Sequence, residues 1–242
     1  PYAAAWAHRG SGVFLVFYLV FHINTLSTLQ TPEKFVEKMD FFSNLFPGFL
    51  EWFLAIPVIY HSLNGGRLLL YELFGLWNDR TLLRSVIAIS FIYLLILAIF
   101  MALGNQSVTP FFFWSQASIT SFCLALITIV KLKNNNASIF WRLQRISGAF
   151  LFIMIPAHMI FMHLDPTIGR DVQVIAERMD SAFIKCIDLG LVLSALYHGG
   201  YGVTGICFDY IAERRKRIAC SAAIIVVTAV LAVIGIKLTI SV

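Results

Sequence analysis

Charge-free apolar runs constrain this chain more than any other feature of its sequence. A helix of about 20 apolar residues crosses the hydrocarbon core of a bilayer. Four runs of about that length contain no Asp, Glu, Lys or Arg: Gly10–Leu29, Ile146–Leu164, Leu189–Phe208 and Ile218–Ile236. Only 13% of the 242 residues are charged, against about 25% in soluble domains. The sequence therefore predicts an integral membrane protein.

Three further spans follow from the rest of the chain. Trp52–Gly66 is apolar, and Leu68–Tyr71 extends it beyond Arg67. Residues 85–130 contain no charge, which is too long for one span, and the turn-like segment GNQSVTP (Gly104–Pro110) divides them. We therefore expect an all-α transmembrane bundle of about seven spans, in one membrane domain over residues 1–242. The first run lacks a convincing small-residue cleavage site, so we interpret it as a span and not as a signal peptide.

The basic residues predict the orientation of the bundle. With seven spans, twelve Lys and Arg residues lie on the side of the N-terminus and six on the opposite side. The positive-inside rule then places the N-terminus in the cytoplasm and the C-terminus outside. The net charge of +5 mainly reflects this excess, and it does not favour binding to nucleic acid.

An internal repeat organises the chain. One motif recurs at an offset of 136 residues: Arg9, Ser11, Gly12 and His22 match Arg145, Ser147, Gly148 and His158. A second recurs at an offset of 137: Tyr60, His61, Gly65 and Glu72 match Tyr197, His198, Gly202 and Asp209. We predict two repeat halves, residues 1–80 and 138–215, an inserted helical hairpin at 81–133 and a C-terminal helix at 216–240. The halves would be related by an axis roughly along the membrane normal.

Each of the four helices in the repeat presents one histidine to the membrane interior. Ionisable residues at that depth are candidates for function, and neutral imidazole is a common axial ligand of haem iron. Four histidines on four helices match two six-coordinate haems, and symmetry pairs His22 with His158 (outer) and His61 with His198 (inner). Gly65 and Gly202, one helical turn after two of these histidines, would leave room for a porphyrin or for close helix packing.

The segments IPVIYHSLNG, QRISGAFLFIMIPAH and YHGGYGV resemble the di-haem membrane anchor, of the cytochrome b558 type, of succinate:quinone oxidoreductases and quinol:fumarate reductases. The resemblance implies that His22, His61, His158 and His198 ligate two b haems. It also implies flavoprotein and iron–sulfur subunits on the cytoplasmic face of a bacterial inner membrane. Electrons would pass between them and a membrane quinone, commonly menaquinone, and the whole complex could form dimers or trimers. That family has five helices. This chain differs from it in the hairpin at 81–133, where the family has only a short loop.

Several other residues have roles that the sequence leaves open. Arg9, Ser11, Arg145 and Ser147 are suited to binding haem propionates, or the arginines anchor the helices at the interface. His8 could contact a propionate or a partner subunit, and His163 lies at the outer end of its span as a weak candidate for a haem or quinone site. Glu51 is a candidate for proton exchange with the quinone, or a carboxylate at a helix N-terminus. The hairpin contains no histidine and is expected to supply packing but no ligand.

Two alternatives to this function remain at the level of the sequence. One is another di-haem cytochrome b, such as the anchor of a formate dehydrogenase or nitrate reductase. The other is a haem-free transporter that uses buried histidines as a proton relay. The four cysteines, Cys123, Cys186, Cys207 and Cys220, show no metal-binding spacing, and we expect them to be buried packing residues.

Overall fold

The computed structural model describes residues 2–45, 48–76, 78–103, 110–163 and 171–241. Within these residues the chain forms nine α-helices, with a short 3-10 helix (Ser27–Gln30) after the first. The helices are α1 (Tyr2–Leu26), α2 (Pro32–Leu45), α3 (Gly48–Phe74), α4 (Asp79–Leu103), α5 (Pro110–Leu132), α6 (Ile139–His163), α7 (Val172–Met179), α8 (Ala182–Tyr210) and α9 (Arg214–Ser241). The predicted turn at Gly104–Pro110 lies largely outside the described residues.

In the part of the chain that the structure describes, six stretches are long and apolar enough to cross a membrane: Tyr2–Gln30, Arg80–Ile99, Phe111–Leu132, Ile139–His163, Ala182–Tyr210 and Arg214–Ser241. They confirm the prediction of an all-α, multi-pass membrane bundle. The remaining predicted span, which begins at Trp52, corresponds to α3. This helix has 27 residues and is therefore about 40 Å long. Its polar Asn64, Arg67 and Glu72 lower its hydropathy, so the count of seven stays a prediction.

The helices of the two repeat halves meet at the centre of the bundle. α3 packs against α1 and α6, and α8 packs against α6 and α1. The remaining long helices lie around this group of four: α4 contacts α3, α5 contacts α6, and α9 contacts α8 and α1. The inserted hairpin therefore flanks the four helices that carry the repeated motifs.

Equivalent tyrosines join the two helices within each half. The hydroxyl of Tyr60 on α3 donates to the carbonyl of Ala4 on α1 at 3.2 Å. The hydroxyl of Tyr197 on α8 donates to the carbonyl of Phe140 on α6 at 2.8 Å. The carbonyls of the first turn of a helix already accept bonds within the helix. Because a carbonyl oxygen has two lone pairs, each tyrosine can add a second bond to such a group and so tie the two helices of its half together.

Short helices cover the end of the bundle at which α1 finishes. α2, α7, the 3-10 helix and the end of α9 contribute the buried cluster Leu29, Phe35, Ile175, Met179 and Leu238. Asp171 caps the N-terminus of α7 by accepting from the backbone N–H groups of Gln173 and Val174.

The periphery of the bundle is apolar. Large side chains such as Phe91, Phe111 and Val130 are about 70% exposed, and soluble monomers rarely expose contiguous apolar surface on this scale. A lipid environment accounts for it. Cys123 and Cys186 are also exposed, since their helices turn that face outwards, and Cys207 and Cys220 are half-buried. The expectation that the four cysteines are buried packing residues is therefore wrong.

Candidate functional site

All four repeated histidines line one central cavity of about 1230 Å³. Sites for a single small ligand usually measure about 300–1,000 Å³, so this cavity is large enough for more than one bulky group. Its walls are mainly apolar side chains of α1, α3, α6 and α8. Arg9, Arg145 and Asp209 line it as well, which adds charge at the end where α8 finishes.

The inner pair has the geometry of two imidazoles that share one metal. The ring centroids of His61 and His198 lie 6.3 Å apart, with the ring planes at 88°. Two imidazoles bound to one metal through bonds of about 2.0 Å have centroids about 6 Å apart, because each nitrogen lies about 1.1 Å from its own ring centre. The separation of the two rings therefore matches bis-histidine ligation.

The other nitrogen of each inner histidine already has partners. His61 Nδ1 donates to the carbonyl of His8 at 3.1 Å and lies 3.3 Å from Ser11 Oγ. His198 Nδ1 lies 3.4 Å from Ser147 Oγ and bonds to the backbone of Gln144. Metal-binding histidines usually donate their second ring N–H to such an acceptor, which fixes the tautomer and orients the ring. Ser11 and Ser147 thus contact His61 and His198, whereas the sequence suggested that they bind propionates.

Glycines of the repeated motif leave space for the same rings. A Cβ added at Gly12 would lie 2.9 Å from His61 Cε1, and one added at Gly148 would lie 3.1 Å from His198 Cε1. Each distance is shorter than an ordinary carbon contact of about 3.5 Å. Gly65 is different, since its added Cβ would meet His8 at 3.6 Å. At Gly202 the nearest atom would be Nε2 of Gln144 at 3.8 Å.

The outer pair has the same spacing but a third imidazole beside it. The centroids of His22 and His158 lie 6.1 Å apart, with the planes at 90°. His163 lies 5.9 Å from His22 and 5.5 Å from His158. One nitrogen of each ring lies within 4.8 Å of the others, which is close enough for all three to hold one ion. His163, a candidate for a haem or quinone site from its place in the sequence, thus lies beside this pair.

The repeated arginines form ion pairs between the two halves. Arg9 of the first half pairs with Asp209 of the second at 2.7 Å. Arg145 of the second half donates twice to Glu72 of the first, at 2.5 and 2.7 Å. Bidentate pairing to a carboxylate is what the guanidinium was expected to offer a propionate. In this structure the carboxylates are those of the chain itself, so the propionate role stays a prediction.

Three further residues were not singled out from the sequence. Asp188 on α8 lines the cavity and is a titratable group inside an apolar span. Gln144, at the position equivalent to His8, is buried and its Oε1 has no partner among the described residues. Trp114 of the hairpin is 2% exposed and its ring lies 6.5 Å from that of His158. The hairpin therefore reaches the outer pair. The side chain of Glu51 lies outside the described residues.

A family model described as succinate dehydrogenase/fumarate reductase transmembrane subunit matches residues 2–101 and 126–236 of the chain. These two ranges contain both repeat halves and all four repeated histidines, and the gap between them falls in the inserted hairpin. No curated protein and no solved structure matches the chain.

Proposed function

The chain belongs to the succinate dehydrogenase/fumarate reductase transmembrane subunit family, and from this premise we propose that it is the di-haem cytochrome b anchor of such a complex. It would carry electrons between two cytoplasmic subunits, a flavoprotein and an iron–sulfur protein, on one side and a membrane quinone on the other. Dicarboxylate chemistry would take place on the flavoprotein subunit and not on this chain. The membrane would be the inner membrane of a bacterium, with the N-terminus cytoplasmic and the C-terminus outside.

The observation that carries the proposal is the inner histidine pair. Two imidazoles on different repeat halves face each other at the separation that one iron requires. Their second nitrogens are occupied by backbone and serine oxygens, which is the usual arrangement around a metal-binding histidine. The outer pair, His22 and His158, has nearly the same centroid separation and would hold the second haem.

The haems, when bound, would supply reversible one-electron transfer. The chain would contribute a mainly apolar cavity, four imidazoles to hold iron, and oxygen acceptors that orient the two inner imidazoles. The ion pairs Arg9–Asp209 and Arg145–Glu72 clamp the halves together at the inner end. We place the flavoprotein and iron–sulfur subunits against this end, since it is the predicted cytoplasmic side.

Quinone chemistry requires a group that exchanges protons with water near the outer haem. Glu51, at the start of α3, is one candidate, because a carboxylate at that boundary can reach both water and hydrocarbon. Asp188 is a second, supported by its place on the cavity wall ten residues before His198. We expect Asp188→Asn or Glu51→Gln to slow quinone-linked turnover and to leave both haems bound. A variant with full turnover excludes its residue from this role.

Haem loss in histidine variants tests the proposal. His61→Ala and His198→Ala should lose the same haem and retain the other, and His22→Ala and His158→Ala should lose the second one. His8→Ala is the matched control, because His8 stacks on His61 at 4.1 Å but is not expected to bind iron. If His22→Ala and His61→Ala lose the same haem, the pairing is wrong. A colourless wild-type protein would favour the haem-free histidine relay instead.

A further inference from the structure

We propose that His22, His158 and His163 form a three-histidine site for a divalent transition-metal ion, and that an ion there and the outer haem exclude one another. The ion site rests on geometry alone, while the competition with haem rests on the proposed function. The occupant would be an ion such as Zn²⁺, Co²⁺, Ni²⁺ or Cu²⁺, for which imidazole is a favoured ligand.

The ring nitrogens of His22, His158 and His163 are arranged closely enough to share one ion. One nitrogen from each ring lies within 4.8 Å of the other two. Three imidazoles at about 2.0–2.1 Å from one zinc ion have nitrogens about 3.4 Å apart in a tetrahedral site, so small side-chain rotations close the distance. His158 and His163 come from α6 and His22 from α1, which leaves a fourth position open for water or an anion.

The ring of His163 lies almost midway between the two rings of the outer pair, to one side of the line that joins them. The three centroid separations put its ring about 4.8 Å from the midpoint between His22 and His158, and within about 0.4 Å of the plane that bisects the pair. A porphyrin held by that pair would have to fit between the two rings, close to this plane. His163 therefore occupies the place of the macrocycle, and must leave it before haem can bind.

The hydrogen-bond partners of the second ring nitrogen differ between the two pairs. Both inner histidines have acceptors at Nδ1, whereas Nδ1 of His158 is buried and has no hydrogen-bond partner among the described residues. No such bond fixes the tautomer of His158, so either ring nitrogen can serve as the donor. This freedom suits a site that takes two different occupants.

The experiment uses the full chain produced in a haem-deficient host, with Co²⁺ as the probe because its visible bands report its coordination. We expect the wild type to bind one Co²⁺ per chain, and His163→Ala to bind it at least about tenfold more weakly. The matched control His8→Ala removes another cavity histidine and should bind Co²⁺ like the wild type. Equal Co²⁺ affinity in wild type and His163→Ala would overturn the site.

A haem titration of the same samples tests the exclusion. Wild type loaded with Co²⁺ should take up one haem, and His163→Ala should take up two in the presence of the same Co²⁺ concentration. The inner haem, which all three proteins should bind, shows that each variant is folded. Uptake of two haems by wild type with Co²⁺ retained would refute the exclusion. Uptake of no haem without Co²⁺ would instead contradict the proposed function.

Discussion

Gly12 gives the sharpest test of how closely the inner site is built around its ligands. An added Cβ at this position would lie 2.9 Å from Cε1 of His61, so in Gly12→Ala the ring must retreat by about 0.5 Å or more to reach ordinary contact. Metal–ligand bonds tolerate only about 0.2 Å. Overpacking of this kind costs about 1–3 kcal/mol, which lowers the affinity for the inner haem about 5- to 150-fold.

Helix energetics alone predict the opposite sign. Alanine is better than glycine inside a helix by about 0.8–1.0 kcal/mol, so a substitution that touches nothing should stabilise α1. Gly10 provides this control, because a Cβ there meets no atom of the described residues within 4 Å. Gly148→Ala is the equivalent change in the second half, and its milder contact of 3.1 Å with His198 predicts a smaller loss of affinity.

The assay is haem content and reduced-minus-oxidised spectra of the three purified variants during exposure to a haem-scavenging globin. We expect Gly10→Ala to retain both haems and Gly12→Ala to lose one of them fastest, with Gly148→Ala in between. The remaining haem should be the one that His22→Ala removes. If Gly12→Ala keeps both haems as long as Gly10→Ala does, the close packing around His61 is not what holds the inner haem.

Three further predictions concern contacts elsewhere in the bundle. Ser11→Ala should weaken the inner haem about tenfold and retain it at saturation, because the carbonyl of His8 still accepts from His61; complete loss in a haem titration would contradict this. Cys207 and Cys220, whose sulfurs lie 2.7 Å apart, should form an intrachain disulfide with a thiol oxidant, seen as a mass 2 Da lower; an unchanged mass under oxidation would count against the approach of α8 and α9. Ser121→Ala should destabilise the bundle by about 1–3 kcal/mol in thermal unfolding, because its buried hydroxyl donates to a carbonyl of α6 at 2.7 Å; an unchanged transition would show that the bond contributes little.

The internal repeat indicates which four helices form the centre of the bundle, because the spacing between residues is the same in both copies of each motif. Ser11 and Ser147 occur at matching positions and so meet His61 and His198 in the same way. Length and lack of charge suffice for six of the long helices. For α3 they do not, because Arg67 interrupts its apolar sequence.

The parts that sequence could not supply depend on side-chain direction and on contacts between distant segments. Two residues five positions apart on an ideal helix point about 140° away from each other, so the sequence spacing places His158 and His163 on different faces. His163 is the last residue of α6, and its approach to His158 depends on its rotamer there. In the same way, nothing in the motifs of Arg9 and Arg145 indicates that each selects a carboxylate in the other half.

Those two ion pairs have a consequence for how the halves relate. Each runs from the first motif of one half to the second motif of the other, so the interface is isologous, as between identical subunits related by a two-fold axis. In a true dimer every substitution would appear twice. Joining the halves in one chain removes that restriction. The positions of His8 and Gln144 are equivalent, yet only one of them stacks an imidazole on a histidine of the inner pair. The two faces of the inner site can therefore differ in chemistry while the framework around them stays symmetric.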